Sequence, residues 1–452
     1  MIMDANGAAD VPGPVVSLVV WGLILVVIAL SHWPPVRMAP TLAKSRRPLK
    51  PKTGDDCPLC RDPSMAKTEG RAGGAPRAWC DVRSRRGPKK HSDTEGYACD
   101  NAACVYSGIT DATVPALIAY GGHGKHEWIQ DLYCRACHHK FTVRRHTVLY
   151  RLKTRSARVA EALTFLAEGV DVSVLERTWG IGEGTLRTWL TRAGLHAAKL
   201  HGHFFQRLVF QHIQLDELWA NVRQANREVW VWTSMEVTTK IVPVVRLGPR
   251  TLAMAYAVVH ELRQRMGTGH PLPVFSTDGL RLYFYALTAH FGHWMTPPDS
   301  RKRVWQIAAD FIYGQVKKVQ RRRRLIKVEL QMLWGEWRLL QSRLKAAGLT
   351  GRLNTAFIER LNLTLRQGVA LLTRRTWGTA QHMAELALHV EWWRGYYHFA
   401  RYHEALRTEL PTSRLRKGKQ LACRYRSQTP AMAAGITTRR WTVLQLISHP
   451  ML

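Results

Sequence analysis

Three carboxylates stand in three separate local settings, each able to deliver a metal ligand. Asp216 lies in the apolar run His212-Ile213-Gln214-Leu215-Asp216-Glu217-Leu218-Trp219. Asp278 ends the run Val274-Phe275-Ser276-Thr277-Asp278-Gly279, and Glu359 sits in Asn354-Thr355-Ala356-Phe357-Ile358-Glu359-Arg360-Leu361-Asn362. Two aspartates ending strands and a glutamate on a later helix can hold two divalent ions, which is what in-line displacement at a phosphodiester uses. Oxygen ligands suit magnesium or manganese. Side chains alternate along a strand, so Asp216 should share a face with Gln214 and Leu218 while Glu217 points the other way. That leaves one of the two adjacent acids in the site. On the glutamate helix, Phe357, Leu361 and Leu365 recur at four-residue spacing and should pack on the sheet. Glu359, Asn362 and Arg366 should share the opposite face, with Arg360, Asn362 and Arg366 able to contact a phosphate backbone.

The charge balance names the partner class. Lys and Arg number 66 against 33 Asp and Glu, a net charge of +33 over 452 residues. Such an excess implies a polyanion and salt-sensitive binding rather than any particular fold. Together with the three acids, it points to an enzyme that cuts and joins DNA. A merely basic, ribosome-like protein fits less well, because the bases are interleaved with well-patterned apolar segments, and 46% apolar residues suffice for packed cores.

A second chemistry resides in the cysteines. Seven of the eight fall between Cys57 and Cys137, and clustered pairs in a nucleic-acid-binding chain fit metal better than a disulfide framework. Cys99-x4-Cys104 and Cys134-x2-Cys137 have the spacing of a zinc ribbon, with Gly121-Gly122-His123-Gly124 suited to the tip of a hairpin. Cys57-x2-Cys60 is a candidate second zinc pair, with Cys80 and His91 as available partners; the alternative is free thiols in a flexible segment.

The elements that must position these groups divide the chain into segments. Residues 1–33 hold the apolar run Val15–Leu30, extended by Ser31, His32 and Trp33. It is short for a bilayer span of roughly 17–25 residues. The bases that follow it place the body of the protein in the cytoplasm if the run is a membrane anchor; an uncleaved signal-like segment and an upstream start codon are the alternatives. Residues 34–95 read as a basic Pro/Gly-rich linker, and 96–150 as the zinc ribbon. Residues 151–205 read as an all-α helix-turn-helix domain. A helix at 159–166 is closed by Gly169, a short helix spans 172–178, and Gly180-Ile181-Gly182 makes the turn. A recognition helix at 183–192 then directs Arg187 and Arg192 to the major groove, with a generic helical bundle as the bland alternative.

Residues 206–410 read as a mixed α/β unit. Strands at 212–219, 229–237 and 240–247 are followed by a helix through Leu252–Met266, a strand at 273–278 and a helix at 280–291. This is the order of a ribonuclease-H-like sheet. Residues 297–350 read as a basic insertion with Arg321-Arg322-Arg323-Arg324 and a helix at 328–346. The aromatic helix around Glu391-Trp392-Trp393-Arg394-Gly395-Tyr396-Tyr397-His398 fits a core better than a base-stacking platform. Residues 411–452 read as a basic tail with a short helix near 440–448.

The order of zinc ribbon, helix-turn-helix, QLDELW, STDG and NTAFIERLNLTLRQ resembles a bacterial insertion-sequence transposase of the DDE type, nearest the family of the first-described short insertion sequence. The resemblance covers roughly residues 96–435, and Asn354-x4-Glu359-Arg360-x-Asn362 is its most specific motif. It implies a ribonuclease-H-like catalytic domain, with Asp216, Asp278 and Glu359 as catalytic and magnesium-binding residues. It further implies recognition of transposon ends by the N-terminal domains, target DNA as a second substrate, and a homo-oligomer, since joining two ends demands at least a dimer. The hydrophobic N-terminus, the linker and the basic insertion depart from the family pattern. Competing readings are a zinc-ribbon and helix-turn-helix regulator with an inactive catalytic domain, a tyrosine-type recombinase using Tyr396 or Tyr397, and a membrane-anchored DNA-binding sensor.

Overall fold

The computed structural model describes Thr94 and residues 96–110, 116–225, 228–299, 301–322, 324–373, 379–415 and 422–451. The apolar run 15–33, nearly all of the linker and the Cys57/Cys60 pair lie outside the described residues. Among the described residues, no helix is long and apolar enough to cross a membrane.

The first described unit is a three-stranded antiparallel sheet of β1 (Leu117–His123), β2 (Ile129–Cys134) and β3 (Lys140–Thr142). Gly124, at φ 114°, begins the turn between β1 and β2, whereas Gly121 and Gly122 fall at an irregularity in the β1 register. Leu117 and Leu132 pack with three of the cysteines into a small core.

Three helices follow: α1 (Ser156–Ala167), α2 (Val172–Trp179) and α3 (Glu183–Phe204). Val159, Leu163 and Leu166 recur on one face of α1 and are fully buried. The Asp171 carboxylate accepts from the Ser173 amide to cap α2, and Gly180 ends it in the left-handed region at φ 66°, where a Cβ would be strained. Helix α3 runs 22 residues, twelve beyond Arg192, where the recognition helix was expected to end.

The central sheet has six strands. β4 (His212–Ala220), β5 (Val229–Glu236) and β6 (Val245–Gly248) form an antiparallel meander. Helix α4 (Leu252–Arg265) crosses to β7 (Val274–Thr277), parallel to β4, and α5 (Leu282–His290) leads to a small hairpin of β8 (Gly292–Met295) and β9 (Val304–Ile307). β10 (Ile312–Arg321) then adds parallel to β7, and β11 (Arg324–Trp334) pairs antiparallel to β10.

This corrects the reading of 297–350 as an insertion bearing a helix from 328. Ile312–Gln315 are fully buried sheet residues paired with β7, and 324–334 is a strand. Among the described residues there, only α6 (Trp337–Ala346) is helical. The apolar positions of 328–346 mimic a helical period, but cross-strand pairing with β10 overrides them.

Helices cover both sheet faces. Ile213, Leu215, Trp232 and Phe275 meet α4 and α5 on one side. On the other side Leu218, Val231 and Met235 meet α7 (Ala356–Gly368) and α8 (Met383–Phe399). Helix α8 also packs along α3 so closely that a Cβ at Gly194 would collide with the Leu388 carbonyl. Trp392 and Tyr396 of α8 therefore belong to the same apolar core as Leu163, Leu166 and Trp189. The chain ends with β12 (Thr408–Leu415), β13 (Ala422–Arg426), α9 (Pro430–Ala433) and α10 (Val443–Ser448). Residues 443–451 return to the helical unit, where Ile447 accepts from the Val148 amide and Leu446 from His196.

Candidate functional site

Strand pairing brings the two aspartates together. β4 and β7 are parallel and in register up to Leu215 opposite Thr277, so the next residues, Asp216 and Asp278, lie side by side where β7 stops. Oxygens of Asp216, Glu217 and Asp278 all fall within 4.8 Å of one another. The third acid was not expected. Alternation does put Glu217 on the opposite face from Asp216, but Asp278 stands past the end of its strand, where acids from both faces of β4 can converge. The sequence showed the two acids side by side, but not that β7 ends next to them.

Each acid is held. Asp216 accepts from the Glu217 amide at 2.9 Å and from the Asn362 side-chain amide at 2.8 Å. Glu217, with 2% of its side chain exposed, accepts from Arg250 at 2.5 Å and from the Tyr283 hydroxyl at 3.2 Å. Asp278 accepts from the Leu280 amide at 3.0 Å as the chain turns toward α5. Burial, then the charge of Asp278, pushes both Asp216 and Glu217 up to about 7, with Arg250 opposing the rise at Glu217. Like charges crowded at low dielectric resist ionisation together.

Glu359 comes to the same end of the sheet on the first turn of α7. Gln214 sets that helix: its amide nitrogen donates to the Asn354 carbonyl at 2.7 Å, and its oxygen accepts from the Ile358 amide at 2.9 Å. Glu359 does not join the 4.8 Å set. Both its oxygens accept from Lys318 of β10 at 2.5 Å, and one also accepts from Thr355 at 2.6 Å. Its field nonetheless helps to raise Asp216.

Asn362 was expected beside Glu359 on the outward face; it is instead buried against the sheet, accepting from Thr233 while it donates to Asp216. Arg366 donates to the carbonyls of Leu372 and Trp219, both at 3.3 Å, and Arg360 is exposed.

The four cysteines Cys99, Cys104, Cys134 and Cys137 also gather within 4.8 Å. Sγ atoms lie 3.4 Å apart for Cys99–Cys137 and 3.8 Å for Cys104–Cys134. A disulfide needs about 2.05 Å, whereas ligands at about 2.3 Å around a tetrahedral zinc stand about 3.8 Å apart. Burial pushes Cys99 and Cys134 up; at Cys137 the His139 amide and the neighbouring thiols outweigh burial and bring it down to about 7.

On the helical unit, Arg187 is exposed but ion-paired to Glu385 of α8 and, at 3.3 Å, to Glu183. Arg192 donates to the Tyr150 carbonyl at 2.7 Å. Tyr396 and Tyr397 are buried and donate to Glu168 and to the Lys240 carbonyl, so neither is presented as a nucleophile. No family model matches the chain, and no curated protein matches it.

Proposed function

We propose that the chain is a DDE-type DNA transposase, in which a ribonuclease-H-like domain hydrolyses and transfers DNA strands at the ends of a mobile element. One observation carries the reading: Asp216, midway along β4, stands beside Asp278, which follows the carboxyl end of the parallel neighbour β7, with Glu359 on a helix docked over that same place. The strand order, an antiparallel meander followed by two strands parallel to its first member, supports the ribonuclease-H-like assignment. Ligands of open α/β sheets bind at such ends.

The acids fit a hard divalent cation, being oxygen-only, partly buried and crowded. Magnesium or manganese held by Asp216, Asp278 and Glu359 would supply the positive charge that phosphoryl transfer requires. The remaining work falls to the chain's own side chains. Asn362 fixes the Asp216 rotamer, Arg250 and Tyr283 hold Glu217, and Lys318 pairs with Glu359. The thiol set fits zinc, in a ribbon that would support DNA binding by the helix-turn-helix at 156–204.

The test is cleavage of duplex DNA carrying the sequences that flank the coding region, in magnesium, with wild type beside Glu359→Gln. Wild type should cut at discrete positions. The variant should bind the same DNA but cut at least ~10²-fold more slowly, the usual loss when one preorganised group is removed. Binding without cutting by both proteins would favour a DNA-binding regulator with an idle centre, a reading to which the Lys318–Glu359 pairing lends weight.

A further inference from the structure

Strand β10 does not stop where the sheet does. It is parallel to β7 and β4, so it leaves the sheet at the end that carries the acids. Its last residue paired with β7 is Gln315, opposite Thr277; six residues, 316–321, continue past that point with β11 as their only strand partner. At about 3.3 Å per residue this makes an arm of roughly 20 Å. Burial changes abruptly along it: Ile312–Val316 are buried, Lys317 is half-buried and 318–321 are exposed. The base of the arm touches the site. Lys317 lies against Gly279, 3.3 Å from where a Cβ would stand, and Lys318 pairs with Glu359.

The composition of the arm is lopsided. Between Val316 and Trp334 stand seven bases and one acid, Glu329. Four of the bases, 321–324, are consecutive in the sequence, and Arg321 pairs with Arg324 across the turn. Arg322 adopts φ 49°, a left-handed conformation that tight hairpins ordinarily fill with Gly or Asn. A tip that breaks the turn rule to carry charge has a use for that charge. Among the described residues, no carboxylate pairs with Arg321, Arg322 or Arg324.

We propose that the β10–β11 arm is a second DNA-binding element, which enters the major groove of the duplex whose phosphodiester faces Asp216 and Asp278. This rests on the proposed function and adds to it the surface that holds the duplex. A two-stranded ribbon is one of the shapes the major groove admits, and a tip roughly 20 Å above the acids reaches about six base pairs from the cut at 3.4 Å per pair. The exposed apolar flank of Leu325, Ile326, Val328 and Leu330 gives the arm a face for thymine methyls. The same flank on an edge strand could pair with a second copy, so the test separates the two.

The experiment uses the full chain and a labelled duplex about three helical turns long, titrated over a range of salt by fluorescence anisotropy. Arg321→Ser/Arg322→Ser/Arg324→Ser should bind at least tenfold more weakly at low salt. The slope of log affinity against log salt should be shallower by roughly two to three, since each phosphate contact contributes about 0.9. An unchanged slope, with wild type that binds and cuts, overturns the arm and leaves the proposed function standing. Wild type with no affinity for duplex overturns both. Self-association that vanishes in Ile326→Asp, with DNA binding unaltered in the triple variant, assigns the edge to a second copy instead.

Discussion

At the scale of the residue, the site is a concentration of like charge that the fold tolerates for a purpose. Asp216 rises to about 7 because it is buried and faces Asp278. An acid whose folded pKa lies above its ordinary value costs nothing below about 3.8, and costs progressively more until the folded pKa is passed. Asp216→Asn should therefore be more stable than wild type in chelator at pH 8, by up to about 4 kcal/mol, and no more stable at pH 3.5. Thermal melts at the two pH values read this directly, and equal gaps at both would show that packing rather than charge sets the difference. Asp216 and Asp278 were legible as types in place, since Asp216 interrupts an apolar strand run and Asp278 ends one beside Gly279. Glu217 was not: alternation describes where a strand aims a side chain, but says nothing about a neighbouring strand that ends early and opens a path around its tip. Asn362 was misread for a related reason. A helical wheel separates faces by hydropathy, yet this amide is buried because Asp216 needs a donor.

At the scale of the element, helix boundaries followed caps where caps exist. Gly169 and Gly180 marked the ends of α1 and α2 closely, whereas α3 runs on through Gly194 to Phe204, because that glycine serves the close approach of α8 and does not end the helix. β10 and β11 were missed because their register depends on β7, nearly forty residues earlier, a contact no local pattern records. The α3–α8 crossing offers a direct check of packing. Gly194→Val should destabilise by about 2 kcal/mol or more, since the added atoms meet the Leu388 backbone. Gly202→Ala, on the same helix with nothing near its Cβ, should stabilise by about 0.5–1 kcal/mol. Urea midpoints that move the same way for both would contradict the close approach. In the cysteine unit, Cys134→Ser should abolish zinc content by mass spectrometry and loosen residues 96–150 to proteolysis; unchanged zinc would refute the four-thiol site.

At the scale of the whole molecule, the helical unit and the sheet share one apolar core through α8, stitched by a buried polar chain. Val242 donates to His398, which meets His201 at 3.0 Å, which meets Glu391 at 3.0 Å. Burial holds His201 and His398 well below the ordinary histidine range, and burial brings His212 to about 3 and His196 to about 4. Groups kept neutral in the fold contribute stability that is complete above the unfolded pKa near 6.5, and that is lost as pH falls below it. The four histidines outnumber the two raised acids, Asp216 and Glu217, whose cost falls over the same range, so the chain should unfold at lower denaturant at pH 5 than at pH 7.5; a midpoint independent of pH in Asp216→Asn would count against the neutral chain. The shared core has a mechanical meaning too. Because α3 cannot swing on a hinge apart from the sheet, the span from its exposed first turns to the acids is a fixed length. On the proposed function this would make the protein a ruler: DNA whose recognition sequence is displaced by half a helical turn from the cut site would present the wrong face to one of the two, with no hinge between α3 and the sheet to make up the difference.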